Sequence, residues 1–298
     1  MKVAIAGSSG LIGSGLVPYL RQHGHEVIRL VRSTPGGPDE VPFDPAGGIL
    51  DPGDLGGVDA VINLAGLGIA DKPWSADRKR ALIASRIDTT ALLARTMARL
   101  DTQPKVFVAG SAIGWYGSEG GAKEHKEGDP AGSGFLAELV EAWEAAAAPA
   151  AAAGIRTVSA RTGIVLSAVG GALAKQLLPF KVGLGGRLGS GEQYLSWISL
   201  ADEVAALEHC ITDDRLRGPV NLTAPTPVTN LAFTKALGRA LHRPTILPIP
   251  TFALKLKFGK EAVQEMFLGG QRVLPTILAG SGFSWRHATL DEAFADIL

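Results

Sequence analysis

Lys2-Val3-Ala4-Ile5-Ala6-Gly7-Ser8-Ser9-Gly10-Leu11-Ile12-Gly13 is the stretch on which the fold turns. Lys2–Ala6 is a short apolar run of the kind that forms a buried strand, and from Leu11 the periodicity changes. Leu11, Ile12, Leu16, Val17 and Leu20 recur at helical spacing up to His23, and Gly24 closes that helix. Three evenly spaced glycines join the two elements. Gly7 permits a tight turn, Gly10 lets the backbone approach a diphosphate, and Gly13 allows close helix–strand packing. The helix then aims its free N–H groups and the positive end of its dipole at the same place. Glycines alone say little, but their position between a first strand and a first helix is specific. It makes the whole loop, Gly7, Ser8, Ser9, Gly10, Leu11, Ile12 and Gly13, a dinucleotide-binding candidate. No Gly-Lys-Ser/Thr follows, which excludes a P-loop nucleotide triphosphatase.

Outward from this loop, strands and helices alternate through two thirds of the chain. Glu26–Val31 reads as a second strand, and Pro35–Gly57 as an irregular crossover with a minor strand, too broken by Pro and Gly for a long helix. Val58–Gly66 is a strand running into a glycine turn, Ser75–Leu100 a long helix, and Lys105–Ser111 a further strand. Phe135–Ala148 reads as a helix stopped by Pro149, with Arg156–Leu166 and Pro219–Ala224 as the last strands. The alternation predicts an α/β fold, a Rossmann-type doubly wound parallel sheet covered on both faces. The dinucleotide domain is expected over 1–224, with the Gly-rich stretch 168–196 as a loop over the site. Beyond Pro225 the period is lost. Helix-like Leu231–Leu241 and Phe252–Phe267, around the proline-punctuated Ile246–Pro250, predict a smaller C-terminal substrate lobe over 225–298.

The second strand ends Val31-Arg32-Ser33. An NAD-specific fold usually has Asp or Glu there for the adenosine ribose hydroxyls. A guanidinium instead can hold a 2′-phosphate bidentately, so Arg32, with Ser33 as a further hydroxyl contact, predicts NADP(H).

Composition narrows the partners. Lys+Arg and Asp+Glu are equal at 29 each, and a chain of zero formal charge has no global field to draw in nucleic acid or an anionic membrane. A small-molecule substrate is expected instead. Cys210 is the only cysteine, so no intrachain disulfide can form, and among apolar helical neighbours it reads as a small core residue. Met1-Lys2 leads directly into a strand, and no run approaches the ~18 apolar residues of a membrane span, so a cytoplasmic protein is expected. The six histidines lack metal-ligand spacing, and no metal is expected.

Gly7–Gly13, Asn63-Leu64-Ala65-Gly66 and Ser111-Ala112-Ile113-Gly114-Trp115-Tyr116-Gly117 together resemble the extended short-chain dehydrogenase/reductases, which include nucleoside-diphosphate-sugar epimerases and dehydratases. Ser85-Arg86, Arg161–Leu166, Gly189–Gln193 with Trp197-Ile198, and Gln271–Pro275 resemble its atypical "epimerase family" subgroup with a small C-terminal domain. The resemblance implies Gly7, Gly10 and Gly13 at the pyrophosphate, Arg32 at the adenosine end, Ala65 and Gly66 against the cofactor, and Ser111 near the nicotinamide.

The pattern breaks at one place. In active enzymes of the wider superfamily, a Tyr and a Lys four residues later lie on the helix after the Ser strand. The Lys lowers the Tyr pKa, and the Tyr exchanges a proton with the substrate oxygen. Here that helix reads Phe135-Leu136-Ala137-Glu138-Leu139-Val140, with neither. Tyr116 is the nearest substitute; its other reading is a packing residue beside the cofactor. Ser111 sits one place earlier, counted from Tyr116-Gly117, than the Ser/Thr of sugar epimerases. Ser111 and Tyr116 are the candidate catalytic residues. Two functions follow, an NADP(H)-dependent oxidoreductase or epimerase on a small, sugar-like substrate, and a non-catalytic NADP(H)-binding sensor or regulatory protein.

Overall fold

The computed structural model describes residues 1–119 and 121–298. Along the chain come β1 (Lys2–Ala6), α1 (Leu11–Gln22), β2 (Glu26–Val31), β3 (Glu40–Pro42), β4 (Ala60–Asn63), α2 (Ala76–Ala98) and β5 (Val106–Ala112). They lead to β6 (Glu124–His125), α3 (Phe135–Ala145), α4 (Ala148–Ala152), β7 (Arg156–Thr162), β8 (Ile164–Leu166) and α5 (Gly171–Lys181). Next are β9 (Tyr194–Leu195), β10 (Trp197–Ser199), α6 (Leu200–Thr212), β11 (Gly218–Leu222), β12 (Val228–Thr229) and α7 (Asn230–Ala240). The remainder holds α8 (Thr251–Phe258), α9 (Lys260–Val263), a π-helical turn Gln264–Leu268, β13 (Arg272–Val273), α10 (Thr276–Gly280) and α11 (Leu290–Ile297).

Seven parallel strands form the main sheet in the order β11-β7-β5-β4-β1-β2-β3. A parallel sheet is buried on both faces, and the central strands are apolar on both. Val3, Ile5, Ile62 and Val108 pack against α1 and α6, while Ala4, Ala6, Val61 and Phe107 join the core under α2 and α4. The chain builds outward from β1 to β3 and then crosses back to β4. The strand order therefore reverses between β1 and β4, where doubly wound sheets open a ligand crevice.

Three local outcomes differ from the sequence expectation. Pro149 does not stop a helix; α3 ends at Ala145, and Pro149 lies in the first turn of α4, where a missing N–H costs little. Arg156–Leu166 is split at Gly163, where an added Cβ would come within 2.8 Å of the Ser196 carbonyl. β8 leaves the main sheet there and pairs with β10. The stretch 168–196 contains α5, whose Leu173, Leu177 and Phe180 are buried at helical spacing behind Gly170-Gly171. These side chains share one core with Trp197, Phe233, Leu237 and Phe294, so the second lobe draws on residues from both sides of position 225. Among the described residues, no helix is long and apolar enough to cross a membrane, and no group of three or more His, Cys, Asp or Glu is placed to hold a metal.

Candidate cofactor site

The glycine loop sits at the reversal of strand order. Gly7 has φ +82, and a Cβ there would lie 2.6 Å from the Leu64 carbonyl carbon, so only glycine lets the β1 and β4 ends come together. Gly13 is pressed on the loop itself, its Cβ direction meeting the Gly7 oxygen at 2.2 Å. Gly10 differs, because a Cβ there meets only the Gly7 oxygen, at an ordinary 3.4 Å. Gly10 is the N-cap of α1, no side chain caps the helix, and its first turn carries no acid. Bare N–H groups and an open glycine face suit a diphosphate.

Arg32 and Ser33 follow the last residue of β2 and are both exposed. The nearby acids are already committed. Asp39 pairs with Arg21 at 2.6 Å and Arg29 at 3.0 Å, and Glu40 pairs with Arg29 at 2.6 Å. The hydrogen bond from Arg21, helped by Arg29, holds the Asp39 carboxyl below its usual range. Among the described residues no carboxylate pairs with Arg32, whose guanidinium is thus available to a ligand phosphate.

Asn63, fully buried, fixes the turn after β4. Its Oδ1 accepts from the Ala65 N–H at 3.1 Å and its Nδ2 donates to Thr90 Oγ1 at 2.9 Å. Gly66 then lies against Arg86 of α2; a Cβ at Gly66 would be 3.2 Å from the guanidinium carbon. Arg86 donates to the Leu67 carbonyl at 3.0 Å and the Leu82 carbonyl at 3.2 Å, and lies 5.1 Å from the centre of the Trp143 ring. Among the described residues it has no carboxylate partner. Burial, with Arg78 nearby, brings its pKa down to about 10. A second uncompensated cation therefore borders the crevice. The sequence offered it only within Ser85-Arg86, because one Arg on a long helix ordinarily reads as a solvated face.

The candidate catalytic hydroxyls face elsewhere. Ser111 is buried and donates to Glu144 of α3 at 2.5 Å. Glu144 in turn receives Arg161 Nε at 2.8 Å and Nη2 at 3.0 Å. Arg161 lies 4.0 Å from the Trp115 ring centre and donates to the Tyr116 hydroxyl at 3.2 Å, while Tyr116 donates to Asn221 Oδ1 at 2.7 Å. Burial raises the Tyr116 pKa despite the opposing bonds from Arg161 and Asn221. Burial also opposes the charge on Arg161, yet Glu144 holds its pKa above the ordinary value. Both hydroxyls thus belong to one buried polar network between β5, β7 and β11. Glu127 extends it to the C-terminal lobe, accepting from the Asn221 N–H at 3.3 Å, the Ile277 N–H at 3.0 Å and the Thr276 hydroxyl.

At the place of the missing Tyr and Lys, Phe135 is half-buried against Trp74 and Leu139 is buried. Lys79 of α2 brings its ammonium 4.7 Å from the Phe135 ring centre and binds Glu261 of α9 at 2.5 Å. Glu265 accepts from the N–H groups of Phe135 at 3.0 Å and Leu136 at 2.8 Å, capping α3 from the other lobe. Below the β7 end, fully buried Glu203 accepts from Thr162 at 2.8 Å, and its other oxygen has no partner. Burial pushes its pKa up to about 8. Lys79, Glu203 and Glu265 carried no signal in the sequence, since each acquires its role through a contact distant in the chain.

The model of the NAD dependent epimerase/dehydratase family matches residues 3–222, and a domain of unknown function, DUF1731, matches 249–297. The chain is similar to Epimerase family protein Mb2239 of Mycobacterium bovis, 49% identical over 293 residues, covering 98% of this chain and 95% of the relative. It is similar also to the crystal structure of human epimerase family protein SDR39U1 (isoform2) with NADPH. That match has a TM-score of 0.89 at 32% identity and covers 100% of this chain and 99% of the other. MoeE5 in complex with UDP-glucose and NAD has the same fold, with a TM-score of 0.76 at 21% identity over 100% of this chain and 97% of its own.

Proposed function

The chain belongs to the NAD dependent epimerase/dehydratase family, and from that premise we propose that it binds NADP(H) in the crevice above β1 and β4 and acts there on a small molecule. The observation that carries the reading is the pairing of an open Gly10 face at the α1 N-terminus with an Arg32 that no described carboxylate neutralises. The NADPH in the human relative supports the same choice. Gly7 to Gly13 would hold the pyrophosphate, Arg32 and Ser33 the 2′-phosphate, and Ala65, Gly66 and Arg86 would border the cofactor beyond it. When bound there, NADPH would supply a hydride for reduction of an acceptor. Around it, Ser111 and Tyr116 act as positioning residues, since their hydroxyls are already held by Glu144 and by Asn221 with Arg161. Lys79 lies over Phe135, at the place of the absent Tyr, and although its ammonium binds both Glu261 oxygens, three N–H groups leave it a donor for a substrate oxygen. Reduction of a carbonyl suits this arrangement, because an ammonium can donate a hydrogen bond to the oxygen.

The engagement of both hydroxyls also favours a second reading, a non-catalytic protein whose cofactor state is read by a partner. Two measurements separate these readings. Fluorescence titration should give at least about tenfold tighter binding of NADPH than NADH, with Arg32→Ala erasing most of the difference. Equal affinities in the wild type would sink the NADP(H) assignment. A screen of NADPH oxidation against carbonyl compounds, repeated with Lys79→Met, Tyr116→Phe and Ser111→Ala, then decides between enzyme and sensor. Tight binding with no turnover favours the sensor.

A further inference from the structure

α8 buries none of its eight residues, with Phe252 74% and Leu256 88% exposed on one side of it. So short a helix gains little from propensity and normally depends on a buried apolar face. Its exposed apolar side chains are not isolated. Leu178, Val182 and Leu184 at the end of α5, and Ile246 and Leu247 before α8, are exposed as well. The two segments are neighbours. The Ile249 N–H donates to the Arg187 carbonyl at 2.9 Å, Leu188 and Ile249 form a parallel bridge, and Arg243 Nε donates to the Lys181 carbonyl at 2.7 Å. Single exposed hydrophobics are ordinary, whereas a contiguous apolar ridge marks an interaction surface.

The two segments that build the ridge supply cations and no acids of their own. Residues 171–191 contain Lys175, Lys181 and Arg187, and residues 225–260 contain Lys235, Arg239, Arg243, Lys255, Lys257 and Lys260. Neither segment contains Asp or Glu. Among the described residues, carboxylates pair with only Lys175 (Asp71) and Arg239 (Asp291) of these. The zero formal charge of the whole chain thus conceals a local excess of cations around protruding apolar side chains.

We propose that this ridge, α8 with the end of α5, rests on an anionic lipid surface. Phe252 and Leu256 enter the boundary between headgroups and acyl chains, and Lys255, Lys257 and their neighbours meet the lipid phosphates. Protruding apolar residues ringed by long cationic side chains are the signature of a helix lying in the interface plane rather than spanning it. A second copy of the chain fits less well, since a two-fold contact would set cations against the same cations. A partner helix needs a groove, and these side chains stand out from the surface. The proposal is independent of the cofactor reading.

Sedimentation of the full chain with vesicles of phosphatidylcholine, with and without phosphatidylglycerol, tests it. The protein should pellet with the anionic vesicles, stay in solution with the neutral ones, and be released by high salt. The pairs Phe252→Ser/Leu256→Ser and Lys255→Glu/Lys257→Glu should each weaken binding at least about tenfold. Both should leave thermal unfolding and NADPH titration unchanged, because the altered side chains are exposed. Leu178→Ser, on a separate helix, should weaken binding as well. Failure to pellet with anionic vesicles overturns the proposal, as does equal binding by wild type and both pairs. A dimer in analytical ultracentrifugation that the same substitutions dissolve assigns the ridge to a second copy instead, and also overturns it.

Discussion

Gly10 and Gly13 lie three residues apart, yet their surroundings assign them different work. A side chain at Gly13 would collide with the Gly7 carbonyl, whereas a Cβ at Gly10 meets only the Gly7 oxygen, at an ordinary 3.4 Å. Gly13→Val should therefore lower the melting temperature and abolish cofactor binding together. Gly10→Val should abolish NADPH binding with little change in melting, as followed by calorimetry and fluorescence titration. Wild-type affinity in Gly10→Val would mean that the loop is only a turn. Glu203 gives a second test at this scale. Its folded pKa of about 8 lies above the ordinary 4.5, so the native state holds a proton that the unfolded chain releases. The stability this proton confers is complete below about pH 4.5 and is lost as pH rises to about 8. Glu203→Gln keeps a neutral side chain throughout. Melting curves at pH 5 and pH 9, roughly either side of that window, should show the variant gaining on the wild type at the higher pH; a constant difference would place the charge elsewhere. The turn at Gly7, the start of α1 and the place of Arg32 at a strand end were legible in the sequence because each is local. Glu203 was not, because an acid in the first turn of α6 is what helix electrostatics favours in solution. Only the packing of α6 against α1 and the strand ends removes its solvent.

Among the elements, α3 has the most divided role. Its sequence declares a helix, and it lies where the superfamily carries its proton relay. Its N-terminus, however, is capped by Glu265, distant in sequence and belonging to the other lobe. Glu265→Ala should cost about 1 kcal/mol in denaturant unfolding, in line with the loss of a cap. Glu265→Gln, which keeps an acceptor, should recover most of it, and no effect from either would show that solvent caps α3 equally well. The main helices and strands as far as Ala145 were read nearly to their ends, because apolar periodicity and glycine stops agree there, whereas α5 lay hidden in a stretch read as a loop. The reading failed at Pro149 and Gly163, where one residue type has two structural uses. Proline ends one helix or opens the next, and glycine bends a strand or hands it to another sheet.

Across the whole molecule, the buried line from Ser111 through Glu144, Arg161, Tyr116 and Asn221 to Glu127 joins the sheet to residues 276 and 277. No sequence period marks such a line, since its members are spaced by loops of unrelated length. Removing one partner of a buried ion pair strands the other, so Glu144→Ala should destabilise by about 3–5 kcal/mol, read as a fall in denaturant midpoint. A loss below about 1 kcal/mol would mean that water reaches Arg161 freely. Thermal unfolding of the wild type should give one transition, since the lobes share this network.

The core that joins Leu173, Leu177 and Phe180 to Phe233, Leu237 and Phe294 bears on how such a protein can be altered over time. A lobe made from one continuous stretch can be cut off, fused elsewhere or traded between genes. Here the wall that α7 and α11 need is supplied from within the nucleotide-binding half. A recombination joint at position 225 would deliver half a core to each product. Expressed alone, residues 1–224 should be insoluble with those α5 side chains bare, and a foreign tail would have to repack against them.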